Sequence, residues 1–192
     1  MESPTLMQRI MGVITLKAPV YKDIADDPNA TPQARNVVII VAILAAIFSG
    51  LTQVIFGSGL VPGIVMAVIG LLSVLISWYV GAWALAFVAK TFFKANTETP
   101  NMLRVTGFTS VFQVVTYVLG LIPCVGAIAA LIGAVLQIIG NIIGVREASG
   151  LDTTKAILTS IIAGIVVFII ASILAAIAAA IGIGGAALTQ PQ

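Results

Sequence analysis

Residues 37–56 read VVIIVAILAAIFSGLTQVIF, an apolar run with no charged side chain in it. At about 1.5 Å of rise per residue, a helix of about 20 such residues crosses the roughly 30 Å hydrocarbon core of a bilayer. A spanning barrel strand would instead alternate apolar and polar residues over about 10 positions, which this stretch does not do. It reads as a transmembrane helix. Four more runs of this kind follow: Leu60 to Phe87, Val105 to Ile122, Cys124 to Val145 and Ile157 to Ile183. Pro123 separates the third run from the fourth, because a proline there marks a sharp hairpin and not the middle of one very long helix. The fold class is therefore all-α, a polytopic integral membrane bundle of about five transmembrane helices. The spans fill residues 37–192, and residues 1–36 form a separate N-terminal segment.

Composition agrees. The chain is 60% hydrophobic and 8% charged, with mean hydropathy +1.17, where a soluble domain keeps about 25% charged residues to cover its surface. A net charge of +2 from nine dispersed Lys and Arg gives no clustered basic face, so nucleic-acid binding is set aside. With no histidine and a single cysteine, the commonest general base, the commonest metal ligand and any intrachain disulfide are absent. None of the carboxylates lies inside an apolar run. Cys124 sits at an uncharged hairpin with no basic neighbour to activate it. The sequence predicts a protein that is not an enzyme, with no cofactor and no metal.

Within residues 1–36, Leu6, Ile10, Val13 and Ile14 share one helical face with Met7 and Met11 beside them, and Arg9 and Lys17 are placed to reach lipid headgroups. Pro4 to Lys17 is read as an interfacial amphipathic helix. The first apolar stretch is too short and broken for a cleavable signal, so the N-terminus is expected to be retained. Arg9, Lys17, Lys22 and Arg35 precede the first span; Lys90, Lys94 and Arg104 lie between spans two and three; Arg146 and Lys155 lie between four and five. With five spans all of these fall on one side. The positive-inside rule then predicts a cytoplasmic N-terminus and an outside C-terminus. Asn29-Ala30-Thr31 has the form of a glycosylation sequon but falls on the cytoplasmic side, and the Gly57 to Gly63 stretch lacks the lysine of a phosphate loop.

Membrane helices associate through small residues that let backbones approach. Span two offers Gly63, Ala67, Gly70, Ser77 and Gly81 at three-and-four spacing, span four offers Gly126, Ala130, Gly133, Gly140 and Gly144, and span five offers Ala171, Ala175, Ala179 and Gly182. These are read as a helix-packing seam. Gln113, Gln137 and Asn141 are amides inside spans, the last two sharing a face, and form either a polar core that ties helices together or a solute site. Intramembrane charge, the usual marker of ion-coupled transport, is missing.

The motifs Leu103-Arg104-Val105-Thr106-Gly107-Phe108, Gly120-Leu121-Ile122-Pro123 and Ile142-Ile143-Gly144-Val145-Arg146-Glu147-Ala148-Ser149-Gly150-Leu151-Asp152-Thr153-Thr154-Lys155-Ala156 resemble the Yip-domain family, named for binding Rab-type GTPases. Ala18-Pro19 and Asp27-Pro28 fit more loosely. The resemblance implies five spans and a role in membrane organisation or partner scaffolding, with Arg104, Arg146 and Glu147 as cytoplasmic contacts to a partner or to lipid. Members of the family are expected to carry a proline early in the third span. Gly107 to Gln113 has none, which predicts a straighter helix here. The short N-terminal segment looks like a prokaryotic member of the cytoplasmic (inner) membrane, so the Rab role is not carried over. The expected function is a membrane scaffold or accessory subunit, with lipid and a protein partner or a second copy of the chain as neighbours. The alternatives are a permease for a small neutral solute and a membrane-shaping protein.

Overall fold

The computed structural model describes residues 4–56, 59–120, 122 and 125–188, with side chains in the last helix through 169 and at 172. In chain order the helices are α1 (Leu6–Ile14), α2 (Ala18–Asp26), α3 (Ala30–Phe56), α4 (Leu60–Phe93), α5 (Thr99–Thr109), α6 (Phe112–Leu119), α7 (Val125–Ser149) and α8 (Thr153–Leu188). Helices α3, α4, α7 and the α5 to α6 pair are long and apolar enough to cross a membrane, and α8 adds a shorter apolar stretch over Thr153–Ile169. No strand occurs among the described residues. The chain is a helical membrane bundle. Its outer surface carries Ile40, Ile47, Ile64, Leu72, Leu131 and Ile161, all exposed, a belt that suits lipid and would drive association in water. The Gly57-Ser58 turn, the Pro123-Cys124 hairpin and the side chains of the small-residue face proposed for the last span (Ala171, Ala175, Ala179 and Gly182) lie outside what is described.

The buried apolar core is concentrated at the end of the bundle that carries the charged loops. There Val37 and Val41 of α3 meet Leu85 and Val88 of α4, Met102, Val105 and Phe108 of α5, Val145 and Ala148 of α7, and Ala156 of α8. Gly150, at φ +66°, ends α7 in the left-handed conformation that glycine adopts without penalty. Asp152 then starts α8 by accepting a hydrogen bond from the Lys155 backbone N–H at 2.9 Å.

Helices α1 and α2 fold back as a cap on this end. A capping box between Thr5 and Gln8 starts α1, satisfying two backbone donors that helix geometry leaves free. Val13, Tyr21 and Ile24 are fully buried, and the Tyr21 hydroxyl donates to the Val13 carbonyl at 3.1 Å. The face assignment for α1 needs correction. Leu6 and Ile10 pack on the core with Val13, whereas Met7, Met11 and Ile14 point outward. Arg9 is not a headgroup contact. It is 0% exposed and ion-paired with Asp27 and with Asp23, the latter at 3.2 Å, and it donates to Gln33 Oε1 at 3.1 Å.

The helix of the third span is interrupted. It breaks at Ser110 and Val111, between α5 and α6, although no proline is present. At the interruption, hydroxyls bond back to backbone carbonyls, which competes with the helix ladder. Ser110 Oγ donates to the Gly107 carbonyl at 2.6 Å, and Thr109 Oγ1 lies 3.0 Å from the Thr106 carbonyl. Backbone bonds from Val111, Gln113 and Val114 then reach only three residues back, to Phe108, Ser110 and Val111.

Candidate functional site

The third span contributes to a polar cavity in the bundle. Thr106, Ser110, Gln113 and Tyr117 line one wall of a cavity of about 420 Å³, with Phe48 and Ser49 of α3, a face of α4 from Gly70 to Leu85, and Gln137 and Asn141 of α7 completing it. The three amides singled out in the sequence are thus brought together. Gln113 Oε1 accepts from the Tyr117 hydroxyl at 3.3 Å, and Asn141 Oδ1 lies 2.6 Å from Thr109 Oγ1. Among the described residues Gln137 has no hydrogen-bond partner, and neither do the hydroxyls of Ser73 and Ser77. The Trp78 indole lines the same wall while its Nε1 donates to the Leu103 carbonyl at 2.9 Å. No Asp, Glu, Lys or Arg lines the cavity.

The small residues divide between contact and cavity. In α4, Gly63 lies against Gly50, where an added Cβ would meet the Gly50 carbonyl oxygen at 3.1 Å; Ala67 packs on Gly50 as well, and a Cβ on Gly70 would come within 3.0 Å of the Ala45 carbonyl oxygen. Farther along the same stripe, Ser77 is exposed and Gly81 has nothing within 4 Å of where its Cβ would stand. These two wall the cavity and hold no helix. In α7 a Cβ on Gly126 would meet Gly120 at 2.8 Å, one on Gly133 would meet Thr116 Oγ1 at 2.8 Å and the Phe112 carbonyl oxygen at 3.0 Å, and one on Gly140 would meet Phe112 at 2.9 Å. Gly144 faces Val105 and Tyr21, and Ala130 is half-buried. This stripe therefore carries α7 along α5 and α6 as far as the cap.

Arg104, Arg146 and Glu147 are engaged within the chain. Arg104 donates from Nε to Thr31 Oγ1 at 2.8 Å and from Nη1 to the Ala25 carbonyl at 2.7 Å, tying α5 to the start of α3 and to α2 of the cap. Arg146 pairs with Glu147 at 2.8 Å. Sequence reasoning missed the cluster of Arg9, Asp23, Asp27 and Gln33, whose members are brought together only by the fold. Asp27 is held below the usual carboxylate range, first by the hydrogen bond from Arg9 and then by the Asn29 backbone N–H. Asp152 is lowered mainly by the Lys155 backbone N–H, and burial pushes the Tyr21 phenol up.

Neither the curated proteins nor the solved structures contain a match to this chain. The Yip1 domain family model matches residues 11–185, a range that takes in the end of α1, all of α2 and the cavity. With the match covering most of the sequence, the chain belongs to the Yip1 domain family of membrane proteins.

Proposed function

We propose that this membrane-associated protein is a non-enzymatic scaffold or accessory subunit, one that presents a pre-folded surface to a protein partner in the cytoplasmic membrane. The observation that carries this reading is the cap. Arg9 and Arg104 bond it to the start of α3 and to α5, so that Met7 and Met11 and the exposed charges of Lys22, Asp26, Lys94 and Asp152 stand on one bundle end. A surface ordered in advance loses less conformational entropy when a partner binds. With the positive loops inside, that surface faces the cytoplasm and the C-terminus is outside.

Co-purification from native membranes in mild detergent tests it. A partner or a second copy is expected with the wild-type chain and is expected to be lost in Met7→Asp/Met11→Asp, with insertion unchanged. A chain that runs as a lone monomer at every detergent concentration contradicts the reading. The cavity supports a second reading, passage of a small neutral solute. Flux into liposomes that vanishes in Gln137→Leu would put that reading first.

A further inference from the structure

We propose that the cavity is a binding site for an uncharged molecule bearing several hydroxyl or carbonyl oxygens. The inference rests on the cavity wall and needs neither partner binding nor transport. At about 420 Å³ the cavity falls in the range of small-molecule sites, roughly 300–1,000 Å³, and far exceeds the roughly 30 Å³ share of one water. Its wall is mixed: Phe48, Val74 and Leu85 give it apolar surface, while Gln113, Gln137 and Asn141 give it amides.

The chemistry of the wall selects the ligand. A charged ligand would leave water for a site with no countercharge, which is costly at membrane depth. The amide of Gln137 and the hydroxyls of Ser73 and Ser77, the two serines four residues apart on one face of α4, line the cavity without a hydrogen-bond partner among the described residues and are accessible to an occupant. They can both donate and accept, as hydroxyl and carbonyl groups require. Two sources carry this chemistry: the glycerol-ester region of a neutral lipid, and a free polyol.

The test uses the full chain in nanodiscs, with thermal unfolding followed against increasing dioctanoylglycerol, glycerol or dioctanoyl phosphatidate. A saturable rise in unfolding temperature is expected with an uncharged probe, since a ligand that binds only the folded state stabilises it. A response to dioctanoylglycerol alone assigns the lipid source, and one to glycerol alone assigns the aqueous source; either supports the site. Phosphatidate is expected to bind at least ~10-fold more weakly than dioctanoylglycerol. Gln137→Leu is expected to weaken binding on the order of 10-fold by removing a hydrogen bond. Gly81→Leu, whose new side chain enters open space, is expected to abolish binding while the ligand-free unfolding temperature stays put. Should Gln137→Leu fail to fold, Ser77→Ala takes its place. No saturable response to either neutral probe, equal binding of phosphatidate, or unchanged binding in Gly81→Leu would overturn the proposal.

Discussion

Asp23→Asn combined with Asp27→Asn is expected to loosen the cap by about 3–5 kcal/mol, the cost of leaving a buried charge without its partners. Arg9 is 0% exposed, while Asp27 and Asp23 are 18% and 43% exposed. The asymmetry sets an order. Arg9→Met leaves two carboxylates that water still reaches, so it is expected to cost less than the double asparagine variant, in which a guanidinium has no route to water. Arg9 Nε is already buried without a hydrogen bond among the described residues, which leaves it little to fall back on. Hydrogen exchange over residues 6–26 reads the effect. Acid should act in the same direction through Asp27. Its folded-state pKa is depressed, so its contribution is complete above the ordinary Asp value of about 3.9 and is lost as pH falls through the lower folded value. Protection of the cap is expected to fall below about pH 4 in the wild type, and Asp27→Asn should remove that dependence. An Arg9→Met variant that exchanges faster than the double variant would mean that the charge is not the member needing compensation.

Gly133→Leu is expected to destabilise the bundle by about 1–3 kcal/mol through overpacking. The first added atom already stands 2.8 Å from Thr116 Oγ1 and 3.0 Å from a backbone oxygen of α6, and a backbone cannot swing aside as a side chain does. Leu131→Ala is the comparison. Leu131 is 67% exposed on the outer face of the same helix, so its truncation opens no cavity against protein and should cost less. Detergent-dependent thermal unfolding gives both values. Equal losses, or a larger one at Leu131, would place the glycine face toward lipid.

The spans were legible because lipid imposes a simple condition on sequence: a long uncharged apolar run has few other places to go. The family motifs and the helical bundle followed from the same stretches. The cap was not legible in its detail, since Arg9 finds Asp23, Asp27 and Gln33 only through the turn at Leu16 and the docking of α2. Arginine in an amphipathic lead-in reads as a headgroup contact until the fold shows two carboxylates closing over it. The interruption at Ser110 was hidden for a different reason. A proline advertises itself, whereas Thr106, Thr109 and Ser110 compete with the helix ladder only if their hydroxyls turn back onto the carbonyls of the preceding turn. The α4 stripe shows a limit of spacing. Gly63 and Gly70 let a helix approach while Ser77 and Gly81 wall a cavity, and one periodicity serves both.

The most direct measurement is cysteine labelling from each side of the membrane, in a Cys124→Ala background. Single substitutions Leu60→Cys, Met11→Cys, Asn96→Cys and Asp152→Cys all fall at exposed positions, with Asn96 chosen over its neighbour Thr97, which is 2% exposed. An impermeant maleimide is expected to label Leu60→Cys only from outside and the other three only from inside, which places the cap and the charged loops on one cytoplasmic face. Labelling of Asn96→Cys from the same side as Leu60→Cys would contradict the account, because α4 would then not cross the membrane and the cap and loops would have no common face to present.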